Sequence, residues 1–228
     1  MNKYIYKLAV LLAVVFVSCD NANDLLDGYI AEGPVVYAGK INEMETQSGF
    51  YRYRVNIYPS ADVNRDYCIL SWSVNNGAKD SVIVDYIPQN FDDKRGCYYT
   101  VIGLPNIEGN LLVEAQNVDV FGNKSLITNQ GAFLYGATYV STLLNSSVSF
   151  SSGGTQAIFE GRVGSVGNLV SYEQANGQFT KEVFVETIAY ALVNPKRGGI
   201  LRSKTRYLMT ATDIDTLITS EYLETRIP

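Results

Sequence analysis

The chain contains no histidine, and with it go the commonest general base, most zinc sites, and the Ser-His-Asp and Cys-His nucleophile systems. Any catalysis would fall to carboxylates. Two acids placed across a cleft can hydrolyse a glycosidic bond. Asp213 and Asp215 are two apart and would face one side of a strand, where mutual repulsion would raise one of the two pKa values. Exposure of that strand end to water is the plainer reading. Asp92-Asp93 before Lys94-Arg95 reads as a solvated turn. Asp62-Val63-Asn64-Arg65-Asp66 imitates the first half of a calcium loop, but Tyr67 stands where the loop needs glycine and Ser73 where it needs a bidentate Glu. The glycines of Gly161 to Gly167 lack the Lys-Ser pair and following helix of a phosphate loop. The expectation is a protein that is not an enzyme, with no cofactor and no metal; a carboxylate-dependent glycoside hydrolase is the remote alternative.

Cysteine chemistry starts at the N-terminus. Lys3 and Lys7 flank a short start, Leu8 to Val17 is unbroken apolar, and Ser18-Cys19 follows. This pattern predicts a secretory signal ending in a lipobox, with residues 1–18 removed and Cys19 lipidated, although Phe16 replaces the usual Leu at the −3 position. The apolar run is half of the roughly 20 residues that a membrane-spanning helix needs. Cys68 and Cys97 remain. Outside the cytoplasm they could form a disulfide, or each could serve as a small core hydrophobe in its apolar, strand-like surroundings.

Residues 19–34 begin Cys19-Asp20-Asn21-Ala22-Asn23-Asp24 and end in Gly33-Pro34. That composition predicts a flexible tether. Loss of Lys3 and Lys7 lowers 18 basic residues to 16 against 23 acidic ones, a net of −7. A surface of that sign, with no Lys/Arg cluster, argues against nucleic acid as a partner.

From Val35 onward, short runs rich in Val, Ile, Tyr, Thr and Phe alternate with Gly, Asn, Asp and Pro. Strands are predicted at 51–58, 67–74, 81–87, 98–102 and 111–120. A second series follows at 147–151, 156–163, 168–173, 179–191 and 200–209, with Asn176-Gly177 as a turn. The length and this repeated grammar predict an all-β protein of two sandwiches, 35–138 and a smaller 139–228, joined through Gly136 to Asn145, where a short helix and an extended linker are both open.

The stretch Thr100-Val101-Ile102-Gly103-Leu104-Pro105, followed by Leu111 to Ala115 and Asp119 to Ser125, resembles the E–F corner and F strand of a fibronectin type III domain, with Leu111 where that family has a Tyr whose hydroxyl ties the corner. A longer resemblance rests on Val36-Tyr37-Ala38-Gly39-Lys40, Trp72 with Asp80-Ser81-Val82, Phe121 to Ser125, Leu134-Tyr135-Gly136, Leu143-Leu144-Asn145, Arg206-Tyr207-Leu208 and Asp213 to Thr216. By these residues the chain resembles a family of Bacteroidetes lipoproteins of uncharacterised function, similar to accessory lipoproteins of glycan-uptake systems. The resemblance implies two tandem immunoglobulin/fibronectin type III-like β-sandwiches after a lipoprotein signal and tether. Asp80-Ser81-Val82 and Asp215-Thr216-Leu217 also resemble the acceptor for protein O-glycosylation in such exported proteins, which would place sugars on Ser81 and Thr216.

The expected setting is therefore the cell envelope: an outer-membrane lipoprotein, surface-exposed, held to the membrane by its lipid. The expected role is a non-catalytic accessory binding module for glycan or a surface protein in a nutrient-uptake system. A structural spacer, adhesin or assembly protein is the alternative. Trp72, Tyr98 and Tyr99 are the candidate rings for stacking a sugar, set against the ordinary role of a lone Trp in a core. A crevice lined by exposed aromatics would favour glycan, and a flat apolar patch would favour a protein partner.

Overall fold

A computed structural model describes residues 36–228. The expected signal sequence, Cys19 and the expected tether lie outside the described residues. Residues Ala38–Pro228 form one compact unit built almost wholly of antiparallel strands.

In the first half, β1 (Glu43–Ser48), β2 (Arg52–Tyr58), β5 (Phe91–Asp92) and β6 (Cys97–Gly103) make a sheet of order β1-β2-β6-β5, and β3 (Arg65–Val74), β4 (Asp80–Asp85), β7 (Gly109–Asp119) and β8 (Thr128–Leu134) make a second of order β4-β3-β7-β8. Strict alternation drives the packing. Tyr53, Val55 and Ile57 of β2 meet Cys68, Leu70 and Trp72 of β3 and Leu111, Val113 and Ala115 of β7 in one buried cluster. Leu111 thus holds the corner by packing, where the fibronectin family uses a hydroxyl.

The second half repeats the plan with shorter strands. After helix α1 (Ala137–Thr142) come β9 (Ser147–Phe150), β10 (Gln156–Glu160) and β13 (Ala189–Ala191) in the order β13-β10-β9. They face β11 (Ser165–Tyr172), β12 (Val183–Val185), β14 (Ile200–Tyr207), β15 (Leu217–Ile218) and β16 (Leu223–Arg226). β15 and β16 both pair with β14, so they act as one last strand broken in the middle. Its core is smaller, around Ala157, Phe159, Val170, Tyr172, Val185, Leu201 and Ile227. The Tyr172 hydroxyl ties the sheets together, accepting from the Val193 N–H at 2.8 Å and donating to its carbonyl at 3.3 Å. In strand order each half is a fibronectin type III-like sandwich, and the fold is all-β as expected.

Two strand expectations need correction. Residues 179–191 form two strands, β12 and β13, because the chain crosses there from one sheet to the other. Asp213 and Asp215 lie outside the strands, in the connection between β14 and β15, so strand alternation does not apply to them.

Candidate functional site

The predicted stacking rings are each engaged by other side chains of the protein. Trp72 is 8% exposed and meets Tyr53 edge-on with centroids 6.3 Å apart; strand alternation turns it into the core, so it offers no face to a ligand. Tyr98 stacks between Tyr86 and Phe91, at 4.6 and 4.9 Å. Tyr99 points outward, but Arg54 covers its ring at 4.0 Å, held there by Asp92 at 2.5 Å and Asn56 at 2.7 Å.

The disulfide expectation is also corrected. Cys68 and Cys97 are both buried free thiols. Tyr98 and Ile102 of β6 pack toward the core, so Cys97, one position out of phase, faces the outer side of its sheet near Tyr58 and Arg54, whereas Cys68 faces inward. The two thiols point to different compartments and cannot reach bonding geometry. Burial pushes the Cys68 thiol up to about 12.

The carboxylates also find local roles. Asp213 caps its own turn, accepting from the Thr210 N–H at 2.9 Å and hydroxyl at 2.7 Å. Asp215 reaches across to the first sandwich. Its Oδ2 accepts from Arg52 Nε at 2.9 Å and from the Phe50 N–H at 3.0 Å, and its Oδ1 from Arg52 Nη2 at 2.5 Å. The Arg52 hydrogen bonds hold this carboxyl below its ordinary value against partial burial, with the Phe50 N–H assisting.

Around this clamp the two sandwiches are locked together. The Ile214 N–H donates to the Ser48 carbonyl at 2.8 Å. Gly49 has no side chain for a physical reason: a Cβ there would sit 2.5 Å from Asp215 Oδ2 and 2.7 Å from Ile214 Cγ1. Phe50 forms a parallel bridge to Tyr135. α1 sits in the joint, with the Thr138 and Tyr139 N–H groups on the Glu108 carboxylate at 3.1 and 3.2 Å and the Ala137 N–H on the Tyr51 hydroxyl at 2.9 Å. Beneath lies an apolar knot of Tyr135, Tyr207 and Leu217, packed by Phe133, Tyr139, Val140, Leu143 and Met209. Of the two forms left open for Gly136 to Asn145, the short helix is the one present, and it is part of a structured joint.

The joint opens on a cleft of about 430 Å³ lined by Phe50, Arg52, Val140, Asp215, Thr216, Leu217 and Ile218. It combines a partly exposed aromatic ring, an apolar wall, a charged pair and the hydroxyl of Thr216. Arg52 and Phe50 escaped sequence reasoning because their partner is 163 residues away for Arg52 and no local pattern marks it. Ser81, the other candidate acceptor, is exposed on the edge strand β4.

At the opposite end of the first sandwich, two loops raise apolar side chains into water: Val63 is 90% exposed and Phe121 74% exposed. Among the described residues no helix is long and apolar enough to cross a membrane.

A family model described as a domain of unknown function, DUF4998, matches residues 19–217. No curated protein matches the sequence. Among solved structures, the chain is similar to a family 76 glycoside hydrolase from a bovine Bacteroides thetaiotaomicron strain, at 13% identity and TM-score 0.34, over 41% of this chain and only 20% of the hydrolase. It is also similar to the FN1–FN3 domains of chicken CNTN1, at 11% identity and TM-score 0.39, over 84% of this chain and 68% of that one. A two-domain fibronectin type III segment of chicken tenascin aligns at 15% identity and TM-score 0.32, over 81% and 99%. The sandwich assignment rests on the strand order itself.

Proposed function

The chain belongs to the DUF4998 family, and from that premise we propose that it is a non-catalytic accessory binding protein, held at the surface of the cell envelope by a lipid on Cys19, whose ligand is a glycan seated in the cleft between the sandwiches. The observation that carries this reading is the composition of that cleft. Its volume lies within the range of small-ligand sites, roughly 300–1,000 Å³. The Phe50 ring supplies an apolar face for a sugar, and Arg52 and Thr216 supply polar groups at its edge. Fixed walls also lower the ordering cost of binding.

The reading is non-catalytic because the acids nearest the cleft are committed elsewhere: Asp215 is neutralised by Arg52 and Asp213 caps a turn. A hydrolytic pair needs one acid free to donate a proton and one free to attack or activate water. A sugar on Thr216 would fill the cleft, so modification there would compete with ligand.

The test is a glycan array probed with the purified protein and with Phe50→Ala. The expected result is retention of one glycan class, weakened at least tenfold by the substitution, while Trp72 emission stays that of the folded core. Absence of any retained glycan sinks the reading and leaves a rigid spacer or assembly protein, which the locked joint also suits.

A further inference from the structure

The free end of the first sandwich spends hydrogen bonds on keeping apolar side chains in water. After β7 the Asp119 carboxylate turns inward and accepts from the N–H groups of Phe121 and Asn123 at 2.9 and 2.8 Å and from Asn123 Nδ2 at 2.9 Å. Burial opposes its ionisation, but these hydrogen bonds outweigh that and hold its pKa low. Gly122 at φ +83 completes the turn, and Phe121 stands at its tip. The neighbouring loop after β2 is stiffened in the same way. Asp62 accepts from the Asn64 N–H at 2.9 Å, and Arg65 Nη1 donates to the carbonyls of Ser60 and Asp62 at 3.1 and 2.8 Å. This raises Val63. The Val120 N–H donates to the Asn64 carbonyl at 2.8 Å and fastens the two tips together.

The result is a preorganised apolar crest of Val63, Val120 and Phe121, continued by Leu126 and Ile127, all more than half exposed. Both carboxylates of the two loops are turned onto backbone N–H groups. Exposed Lys40 and Lys124 flank the crest. Side chains this apolar, held this rigidly, belong to a surface that is covered in use.

We propose that this crest docks on the phospholipid bilayer, with Phe121 and Val63 entering the headgroup and acyl boundary and the lysines meeting lipid phosphates. The occupant follows from the course of the chain. It enters the sandwich beside these loops, where the Gly39 N–H donates to Asp62 at 2.8 Å and Asn117 Nδ2 donates to the Gly39 carbonyl at 2.7 Å. Cys19 lies nineteen residues before Ala38, and a flexible chain of that length would span about 24 Å. A lipid on Cys19 therefore keeps this end, and not the joint, close to the membrane. Apolar side chains that reach the headgroup and acyl boundary add binding in proportion to the area they bury, beside that of a lipid chain. The proposal rests on the lipid-anchor part of the functional reading and is independent of what fills the cleft.

The experiment uses the chain from residue 19 onward, acylated at Cys19 and unacylated, with vesicles of phosphatidylethanolamine and phosphatidylglycerol. Phe121→Trp places a reporter on the crest, and the emission of Trp72 in the buried core of the unsubstituted chain is the baseline. The expected result is a blue shift of the new tryptophan on vesicles and quenching by lipids brominated on the acyl chain, with Trp72 unquenched. For the unacylated chain, Val63→Asp with Phe121→Asp should weaken vesicle binding at least tenfold. An acylated, vesicle-bound chain whose tryptophan stays water-like and unquenched overturns the proposal. So does a blue shift that requires added envelope protein in place of lipid, which would assign the crest to a protein partner. Mass spectrometry of the native N-terminal peptide tests the anchor separately: an unacylated Cys19 removes the anchor, while quenching of the unacylated chain would still uphold the docking face.

Discussion

Removal of the Arg52–Asp215 clamp should loosen the joint by an amount the geometry sets. The pair is bidentate, but Arg52 is 51% exposed and Asp215 19% exposed, so solvent screening confines the ion pair to the upper part of the range for surface pairs, about 1 kcal/mol. Arg52→Ala is expected to cost that. Asp215→Ala also deprives the Phe50 N–H of its acceptor, a neutral donor that water can partly reclaim, for a total of about 2 kcal/mol. The double variant should then show a coupling of about 1 kcal/mol, or roughly fivefold in the unfolding constant. Urea unfolding is read by two probes. Fluorescence of Trp72 follows the first sandwich, and far-UV circular dichroism follows both. The curves should coincide in the unsubstituted protein and separate in Asp215→Ala. Because the Asp215 carboxyl is held below its unfolded value, its contribution is present above about pH 4 and lost as pH falls through the lower, folded value. The cost of Asp215→Asn should therefore be constant from neutral pH to about 5 and shrink below about 4. A coupling indistinguishable from zero at low salt, or one unchanged at pH 3, would refute the reasoning.

Gly49→Ala should reproduce much of the Asp215→Ala effect without touching a charge, since its Cβ would displace Asp215 and Ile214; the same two-probe unfolding measures it, and an undisturbed joint would show that the close approach is not binding. Tyr53→Phe should leave stability unchanged or raise it by up to about 1 kcal/mol, because the Tyr53 hydroxyl is buried with no protein partner; a loss above that would mean the hydroxyl has a partner. Native protein should show no fast reaction of Cys68 or Cys97 with a thiol reagent at neutral pH, and both should react in denaturant without prior reduction. The buried thiol of Cys68, pushed up to about 12, sets that expectation.

The sequence made the central strands legible because their periods are clean. Tyr53, Val55 and Ile57 alternate with the polar Arg54 and Asn56, and Cys68, Leu70 and Trp72 recur at the same period of two with Ile69 and Ser71 between them. The edge strands were not legible. Glu43-Met44-Glu45-Thr46-Gln47-Ser48 has a single apolar residue, and Thr128-Asn129-Gln130-Gly131-Ala132-Phe133-Leu134 gathers its apolar residues at one end, so neither shows an alternating period, and β15 and β16 are too short to show one. The exposed crest is legible only as an anomaly. Val63 and Phe121 are apolar residues inside otherwise polar loop sequences, Asp62 to Asp66 and Asp119 to Asn123. Of the cleft lining only Asp215 and Thr216 stand out in the sequence, and for other chemistry; Phe50, Arg52 and Asp215 come together only through the packing of one sandwich on the other.

The directions of β1 and β8 give the first sandwich a mechanical character. The chain enters at the crest, runs along β1 toward the joint, and later leaves along β8, which also runs from crest to joint. The two strands lie in different sheets and touch through the Thr46 hydroxyl and the Gly131 carbonyl at 3.4 Å. A load applied between the chain before β1 and the second sandwich therefore pulls β1 and β8 lengthwise in opposite senses. Their ladders, six registered pairs for β1 against β2 and seven for β8 against β7, are loaded in shear and must yield together, not one rung after another. Such a module would carry tension between its N-terminal side and the second sandwich without unravelling.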